Sequence, residues 1–238
     1  MLFSEPLIKG KLIKRYKRFM ADILLENNEV ITAHCANSGS MLTVKPDNAP
    51  VWVSISKNPK RKLKYTWEII EINGCNVGIN TSHPNQIVAD AIEGHKIAGI
   101  ETYNKLRREV KYGENSRIDI LLENDGPPDC YIEVKNVTMK RDECIPGRAE
   151  FPDGITARGT KHLIELSNMV AEGHRAIMFY LVQRNDCNIF SIANDIDNTY
   201  YETLLSASQN GVEIMCYSCE VTCNSIELIR PVQVDLLS

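Results

Sequence analysis

The pattern of apolar residues changes near residue 82, and this change restricts the fold more than any other feature of the 238-residue sequence. Before residue 82, short stretches of alternating apolar and polar residues are separated by turn residues, which is typical of β-strands. After it, strand-like stretches alternate with stretches of helical period. We therefore expect two domains, residues 1–82 and residues 83–238.

The first domain is predicted to be all β. Asn27-Asn28 is a predicted turn, and Asn73-Gly74 is a strong signal for a two-residue hairpin. Short strands at regular spacing favour a small β-barrel of the OB type. The predicted strands cover residues 19–25, 30–35, 51–56, 66–72 and 75–79.

The second domain is predicted to be α/β with a mixed central sheet, because strands and helices alternate along it. One helix is expected from Pro84 to Ile92 with Ser82 as its cap. A second is expected from Thr160, as cap, to a stop at Gly173, and a third at 200–209 is capped by Asp197. The predicted strands cover residues 109–122, interrupted by a turn at 113–116, and residues 131–137, 176–182, 212–217 and 225–229.

Charge is divided unevenly between the two predicted domains. Residues 1–82 contain twelve Lys/Arg and seven Asp/Glu, which gives a net charge of +5. Residues 83–238 contain fifteen Lys/Arg and twenty-four Asp/Glu, which gives a net charge of −9. Such asymmetry indicates that the basic half meets a polyanion.

The basic residues of the first domain form two clusters that include aromatic residues. Cations release counterions from phosphates and aromatic faces stack on bases, so the clusters favour nucleic-acid binding. A solvated surface that only keeps the domain soluble is the alternative, and the sequence leaves both interpretations open. The candidate residues are Lys14, Arg15, Lys17, Arg18, Lys60, Arg61, Lys62 and Lys64.

A stretch of small polar residues between Cys35 and Met41 is a further candidate contact. Its Asn37 and Ser38 are expected to lie in a turn that presents backbone N–H groups to a phosphate. A tight turn between barrel strands is an equally good interpretation.

Cysteine content and the apolar stretches indicate a cytoplasmic protein. The eight cysteines include Cys216, Cys219 and Cys223, a trio for which we favour buried thiols over a metal site, because no fourth ligand is nearby. The longest apolar stretch, residues 176–182, is far below the ~18–20 residues that span a bilayer. No signal segment or membrane association is therefore expected, and the oligomeric state stays open, with a homodimer as one option.

The chemistry is predicted from Asp119, Glu133 and Lys135. Side chains alternate along a strand, so Glu133 and Lys135 share one face. Asp119 lies on the preceding strand between two isoleucines. If the two strands pair, Asp119 and Glu133 converge.

Two carboxylates in a buried layer are unfavourable unless a cation offsets their charge. Oxygen ligands favour Mg²⁺ or Mn²⁺, with the Val134 carbonyl as a third ligand. Lys135 is then expected to orient a water and stabilise charge on a phosphate, and Glu109 is a candidate further acid. The alternative is a solvated strand face or a buried ion pair at Glu133.

Five motifs, spread over much of the chain, resemble those of the sugar fermentation stimulation protein family of bacteria and archaea. The family commonly has proline where this chain has Ala36, a position outside the predicted metal site. The motifs are residues 34–41 (HCANSGSM), 115–119 (NSRID), 131–138 (YIEVKNVT), 149–153 (AEFPD) and 156–166 (TARGTKHLIEL).

The resemblance implies an N-terminal OB-type domain and a C-terminal restriction-endonuclease-like domain of the PD-(D/E)xK type. It also implies DNA binding linked to control of sugar-utilisation genes. Within this chain, Asp119, Glu133 and Lys135 match the nuclease core and Glu109 matches its upstream acid. A polar residue of the following helix is expected to complete the site, either Lys161 or His162. The resemblance leaves open whether the domain cuts DNA or only binds it.

Overall fold

The barrel domain is built from strands whose apolar residues point inward. In the computed structural model, which describes residues 1–100, 102–113, 116–126, 128–141 and 145–236, these strands form one sheet in the order β3-β2-β1-β4-β5-β6. Strand β3 also pairs with β5, and this pairing closes the barrel. The strands are β1 (Ile8–Tyr16), β2 (Met20–Leu25), β3 (Val30–Cys35), β4 (Pro50–Ile55), β5 (Tyr65–Ile72) and β6 (Cys75–Gly78).

The predicted hairpin between β5 and β6 is confirmed. Asn73 and Gly74 have φ angles of 51° and 79°, the left-handed conformation that a type I′ turn requires at both positions. Strand β1 was not predicted. Lys9, Lys11 and Lys14 occupy three of its four exposed positions, so its composition indicates a charged surface more strongly than a strand.

The main sheet of the second domain is mixed, as predicted, and its six strands lie in the order β15-β14-β12-β9-β8-β7. Strands β9, β12 and β14 are parallel, whereas β15, β8 and β7 join antiparallel at the edges. Its strands are β7 (Lys105–Tyr112), β8 (Ser116–Glu123), β9 (Cys130–Val137), β12 (Arg175–Val182), β14 (Glu213–Val221) and β15 (Ile226–Pro231). A small sheet contains β10 (Met139–Lys140), β11 (Arg148–Phe151), β13 (Ile189–Ile192) and β16 (Gln233–Val234).

Three helices of the described residues cover the main sheet. Helix α1 (Pro84–Glu93) packs with one group of core residues, whereas α2 (Ala157–Ala171) and α3 (Asn198–Gln209) pack with another. The Asp197 cap of α3 is confirmed, since its Oδ1 accepts from Tyr200 N at 3.0 Å.

The predicted caps of the other two helices are wrong. The cap position of α1 is His83, and Ser82 Oγ instead donates to Asn80 Oδ1 at 2.6 Å. Helix α2 starts four residues earlier than predicted, because Thr156 Oγ1 accepts from Gly159 N at 3.0 Å. Thr160 therefore lies within the first turns of α2.

The cysteine trio does not form one site. Cys216 and Cys219 are both buried in β14, three positions apart, and pack into different core clusters. Burial raises the pKa of both thiols. Cys223 is exposed, and Cys144, like the centre of the predicted turn at 113–116, lies outside the described residues.

Among the described residues, no helix combines the length and the apolar character needed to cross a membrane.

Candidate active site

Asp119 and Glu133 lie where two paired strands separate. Strands β8 and β9 pair as expected, and their ladder ends at Ile120–Ile132. Just beyond it, Val134 has no partner on β8 in the ladder, and its N–H donates a hydrogen bond to Asp119 Oδ2 at 2.8 Å. Because a strand residue directs its N–H and C=O to the same edge, the Val134 carbonyl also faces this opening.

The Asp119 carboxylate is held in an environment that opposes its charge. Burial and the nearby charge of Glu133 raise the pKa of Asp119 to about 6, against the hydrogen bond from Val134 and the charge of Lys135. Asn85, in the first turn of α1, also donates to Asp119 Oδ1 at 2.8 Å. Two acids that repel each other in this way are stabilised by a cation.

Glu133 is 2% exposed, and its polar neighbours contact one of its two oxygens. Its Oε1 accepts from Lys135 Nζ at 2.6 Å and also contacts His162 Nδ1. Burial alone would raise the pKa of Glu133, but the hydrogen bonds from His162 and Lys135 hold it below its ordinary value. Within the described part of the chain, Oε2 has no hydrogen-bond partner, so one buried acceptor is left for a ligand.

Glu109 faces Asp119 across the neighbouring strand pair. The flanking pairs Arg108–Ile120 and Val110–Ile118 place it directly opposite. Its φ of 55° is unusual for a non-glycine residue inside a strand, and such strained positions cluster at functional sites. Asn85 Nδ2, which contacts Asp119, is also 3.1 Å from Glu109 Oε1 and so joins the two acids.

Helix α2 directs His162, and not Lys161, toward Glu133. Consecutive residues of a helix point about 100° apart, so only one of these two neighbours can face the sheet. The Lys161 ammonium instead lies 3.6 Å from Glu165 Oε1, and its side chain is half exposed. His162 is buried, and its ring also lies 3.3 Å from Lys135 Nζ.

Further polar atoms lie buried beside this network. The Tyr112 hydroxyl and both Glu165 carboxylate oxygens have no hydrogen-bond partner among the described residues. Burial and the charges of Glu133, Glu165 and Asp119 raise the pKa of Tyr112, so its hydroxyl keeps its proton.

Asn85 is the site residue for which the sequence carries no signal. An asparagine near a helix start is most often a cap, and Asn85 lies 34 positions before Asp119. Only the packing of α1 against β8 and β9 brings them together.

The basic clusters lie on the barrel. Lys14 is within 3.8 Å of Asp22 and lies over the ring of Tyr16. Arg15 turns inward, and its guanidinium donates to the carbonyl of Asn37 at 2.9 Å. Exposed side chains of the candidate set are Lys14, Lys17, Arg18, Lys60, Arg61, Lys62 and Lys64, the last four from the loop between β4 and β5 and its border with β5.

The polar stretch after Cys35 forms a turn whose conformation is fixed by hydrogen bonds of a buried side chain. Asn37 is buried, with Oδ1 accepting from Gly39 N at 2.9 Å and Nδ2 donating to the Ile79 carbonyl at 3.1 Å. This placement favours the structural interpretation for Asn37. Ser38 is exposed.

Comparisons with known proteins now decide the family. A model of the "Sugar fermentation stimulation protein RE domain" matches residues 82–225, and one of the "SfsA N-terminal OB domain" matches residues 13–79. This chain belongs to the sugar fermentation stimulation protein family. The resemblance inferred from the sequence motifs is thereby confirmed.

Family members similar to this chain come from several bacteria. The sugar fermentation stimulation protein homolog of Rhodospirillum rubrum is 54% identical over 228 residues, which cover 93% of each chain. The homolog of Maricaulis maris is 50% identical over 236 residues, 99% of each chain.

A solved structure has the same fold. "The structure of Pyrococcus Furiosus SfsA in complex with Ca2+" superposes with a TM-score of 0.87, covering 99% of this chain and 98% of that one, at 22% identity. Together with the matches to an OB-domain model and an RE-domain model, this likeness confirms the predicted architecture of a small barrel followed by an α/β domain with a mixed sheet.

Proposed function

We propose that this chain binds DNA and hydrolyses phosphodiester bonds with the help of Mg²⁺ or Mn²⁺. The observation that supports the proposal most is the convergence of Asp119 and Glu133 at the open end of the β8–β9 ladder, with Lys135 on the same face of β9 as Glu133. These three residues are the proposed catalytic set, and Glu109 is a proposed additional acid.

The residues present fit a hard divalent cation. Asp119, Glu133 and the Val134 carbonyl offer oxygen ligands, and the unpartnered Glu133 Oε2 is one of them. The described residues contain no group of three or more His, Cys, Asp or Glu side chains placed to bind a metal. Mg²⁺ commonly uses one or two carboxylates together with waters and substrate phosphate, so two acids suffice. The Pyrococcus furiosus protein is described with Ca²⁺, another cation with oxygen ligands.

The surrounding side chains have separate roles in this proposal. A bound cation would lower the pKa of a water and withdraw charge from the phosphate. The Lys135 ammonium orients that water and stabilises charge that develops on the phosphate oxygens. His162 fixes Glu133 and Lys135, whereas Asn85 fixes Asp119 and Glu109.

The test of this function is cleavage of single-stranded, duplex and branched DNA with Mg²⁺ or Mn²⁺ and with EDTA. We expect cleavage that EDTA stops and added metal restores, because the acids need the cation to bring water and phosphate together. Asp119→Asn, which keeps the size of the side chain, should be inactive under the same conditions. A wild-type protein that cuts none of these substrates with either metal contradicts the enzymatic proposal.

The proposed cation site makes a separate prediction for metal affinity. Calorimetry with Mn²⁺ should show binding to the wild type and at least about tenfold weaker binding to Asp119→Asn, because a charged ligand is removed. Glu123→Gln is the control, since Glu123 is an acid of the same strand β8 that pairs with Arg107 at the far end. Equal affinity in the wild type and Asp119→Asn would place the ion elsewhere.

The barrel is proposed to supply much of the nonspecific DNA affinity. Reversing the charges of Lys60, Arg61 and Lys62 to glutamate should weaken DNA binding and reduce the salt slope by about 0.9 for each phosphate that the loop no longer neutralises. The three side chains are exposed in one loop, so the fold should tolerate the change. Binding measured at several salt concentrations checks this, and an unchanged slope would exclude a role for the loop.

A non-catalytic DNA-binding regulator of sugar-utilisation genes is the second candidate. The hydrogen bond from Lys135 to Glu133 favours it, because an ammonium that neutralises a carboxylate replaces part of the charge of a metal. Sequence-specific binding with no cleavage under any metal would support this candidate.

A further inference from the structure

A cavity of about 600 Å³ lies between the barrel and the second domain. We call it the interdomain cavity. Its walls are held together by the turn after β3, because Ser40 Oγ donates to the Asp153 carbonyl at 2.5 Å and Asp153 Oδ2 accepts from Met41 N at 2.7 Å. The barrel contributes Arg15, Arg18, Lys45 and residues 38–40, and the second domain contributes residues 151–156, which lead into α2.

The interdomain cavity carries an excess of positive charge. Arg15, Arg18 and Lys45 line it, against the single carboxylate of Asp153. Among the described residues, none of the three cations forms a salt bridge with a carboxylate. Arg15 and Lys45 donate to backbone carbonyls, which leave their charge uncompensated. An anionic ligand would supply the missing charge.

Two exposed apolar side chains lie in or next to the segments that form this cavity: Ile155 lines it, and Phe19 directly follows Arg18, which also lines it. Phe19, which follows Arg18, is 47% exposed, and its ring stacks on His34 with a centroid distance of 6.4 Å and an interplanar angle of 20°. Ile155, on the opposite wall, is 85% exposed. Single exposed apolar residues are common, but a flat ring beside clustered cations is the combination that binds a base together with its phosphate.

The interdomain cavity adjoins the candidate active site along α2. Thr156 at the cavity and His162 at Glu133 are six residues apart, about 9 Å along a helix. Between them lies the exposed side chain of Arg158, whose Nε is 3.4 Å from His162 Nε2. One continuous strand can therefore contact the cavity, Arg158 and the proposed catalytic residues in turn.

We propose that the interdomain cavity binds an unpaired segment of single-stranded DNA next to the bond that is cut. Its phosphates face Arg15, Arg18 and Lys45, and a base stacks on Phe19. A base-paired nucleotide cannot do this, because its faces are covered by neighbouring pairs and only its edges are accessible in the grooves. This inference rests on the DNA-binding part of the proposed function and adds the class of substrate.

The test is a binding measurement without metal, so that no cleavage is needed. Fluorescence anisotropy compares a labelled oligothymidylate of about 12 nucleotides with a labelled duplex of about 20 base pairs, in EDTA. We expect Phe19→Ala to weaken single-strand binding roughly 5- to 150-fold and to change duplex binding less than about twofold. Phe19→Trp, which keeps an aromatic face, should retain single-strand affinity.

Val30→Ala is the matched control. Val30 is also exposed, at 60%, and lies at the other end of the β2–β3 pair from His34. It should leave both affinities unchanged. The inference is overturned if Phe19→Ala weakens the binding of neither DNA ligand, or of both equally. It is also overturned if the protein binds RNA of the same sequence more tightly than the single-stranded DNA.

These outcomes are separate from those of the cleavage test. A protein that cuts DNA but shows no selective effect of Phe19→Ala keeps the proposed function and loses the single-strand site. A protein that never cuts but loses single-strand binding selectively keeps the site and loses the enzymatic proposal.

Discussion

Replacing Lys135 with alanine is expected to lower the rate of DNA cleavage by on the order of 10²–10³-fold, with little change in DNA affinity. The Lys135 ammonium acts on charge that develops in the transition state, and such an interaction affects rate more than ground-state binding. Most phosphate contacts are expected elsewhere, on the barrel and along the start of α2. The measurement is a cleavage rate under single-turnover conditions and a binding constant, at one salt concentration with Mg²⁺.

A matched variant separates this effect from the removal of one positive charge. Lys105→Ala removes a lysine from the same sheet, but Lys105 is exposed and pairs with Glu123 far from Asp119. We expect its cleavage rate to stay close to that of the wild type. If Lys135→Ala cuts as fast as Lys105→Ala, Lys135 is not part of the active site.

The second large effect is expected for stability. Asp186→Asn should lower the free energy of unfolding by about 3–5 kcal/mol, because it leaves a buried arginine without its counter-charge. Arg184 is 2% exposed and donates to both Asp186 oxygens, at 2.6 and 2.8 Å. Lys140 Nζ also donates to Asp186 at 2.9 Å. Urea unfolding at pH 7 measures the difference.

Asp195→Asn is the control for burial. Arg141 donates to both Asp195 oxygens, at 2.7 and 2.9 Å, but Asp195 is 58% exposed and Arg141 also pairs with Glu150. Exposed pairs contribute about 0–1 kcal/mol, so this substitution should have a small effect. Equal destabilisation by the two substitutions would contradict the argument from burial.

The pH dependence of the Asp186 effect follows from its pKa. Burial would raise that pKa, but the hydrogen bonds and charges of Arg184 and Lys140 hold it below its ordinary value. A carboxyl with a depressed folded-state pKa stabilises fully above the unfolded-state pKa of about 3.9 and loses this contribution as the pH falls. The difference in the free energy of unfolding between wild type and Asp186→Asn should therefore become smaller below about pH 4. If this difference stays constant down to pH 2, the charge of Asp186 is not the cause of the destabilisation.

How much of the structure the sequence predicts depends on whether a sequence pattern acts between neighbouring residues or between residues far apart in the chain. Apolar alternation and the turn residues Asn73-Gly74 act locally, so they predicted most barrel strands and the β5–β6 hairpin. Alternation also placed Glu133 and Lys135 on one face of β9. Strand β1 was not predicted, because three of its four exposed positions are lysines, which indicate a surface and not a strand.

The sequence by itself therefore determined the two architectures and the family, and it placed Glu133 and Lys135 on one strand face, because these depend on local periodicity and motif spacing. The tertiary structure decided which other side chains contact Asp119, Glu133 and Lys135. Asn85 reaches Asp119 only through the packing of α1, across 34 positions. Of the two candidates, His162 and not Lys161 lies beside Glu133, because the phase of α2 is set by its contact with the sheet. A shift of one residue turns a helical side chain by about 100°.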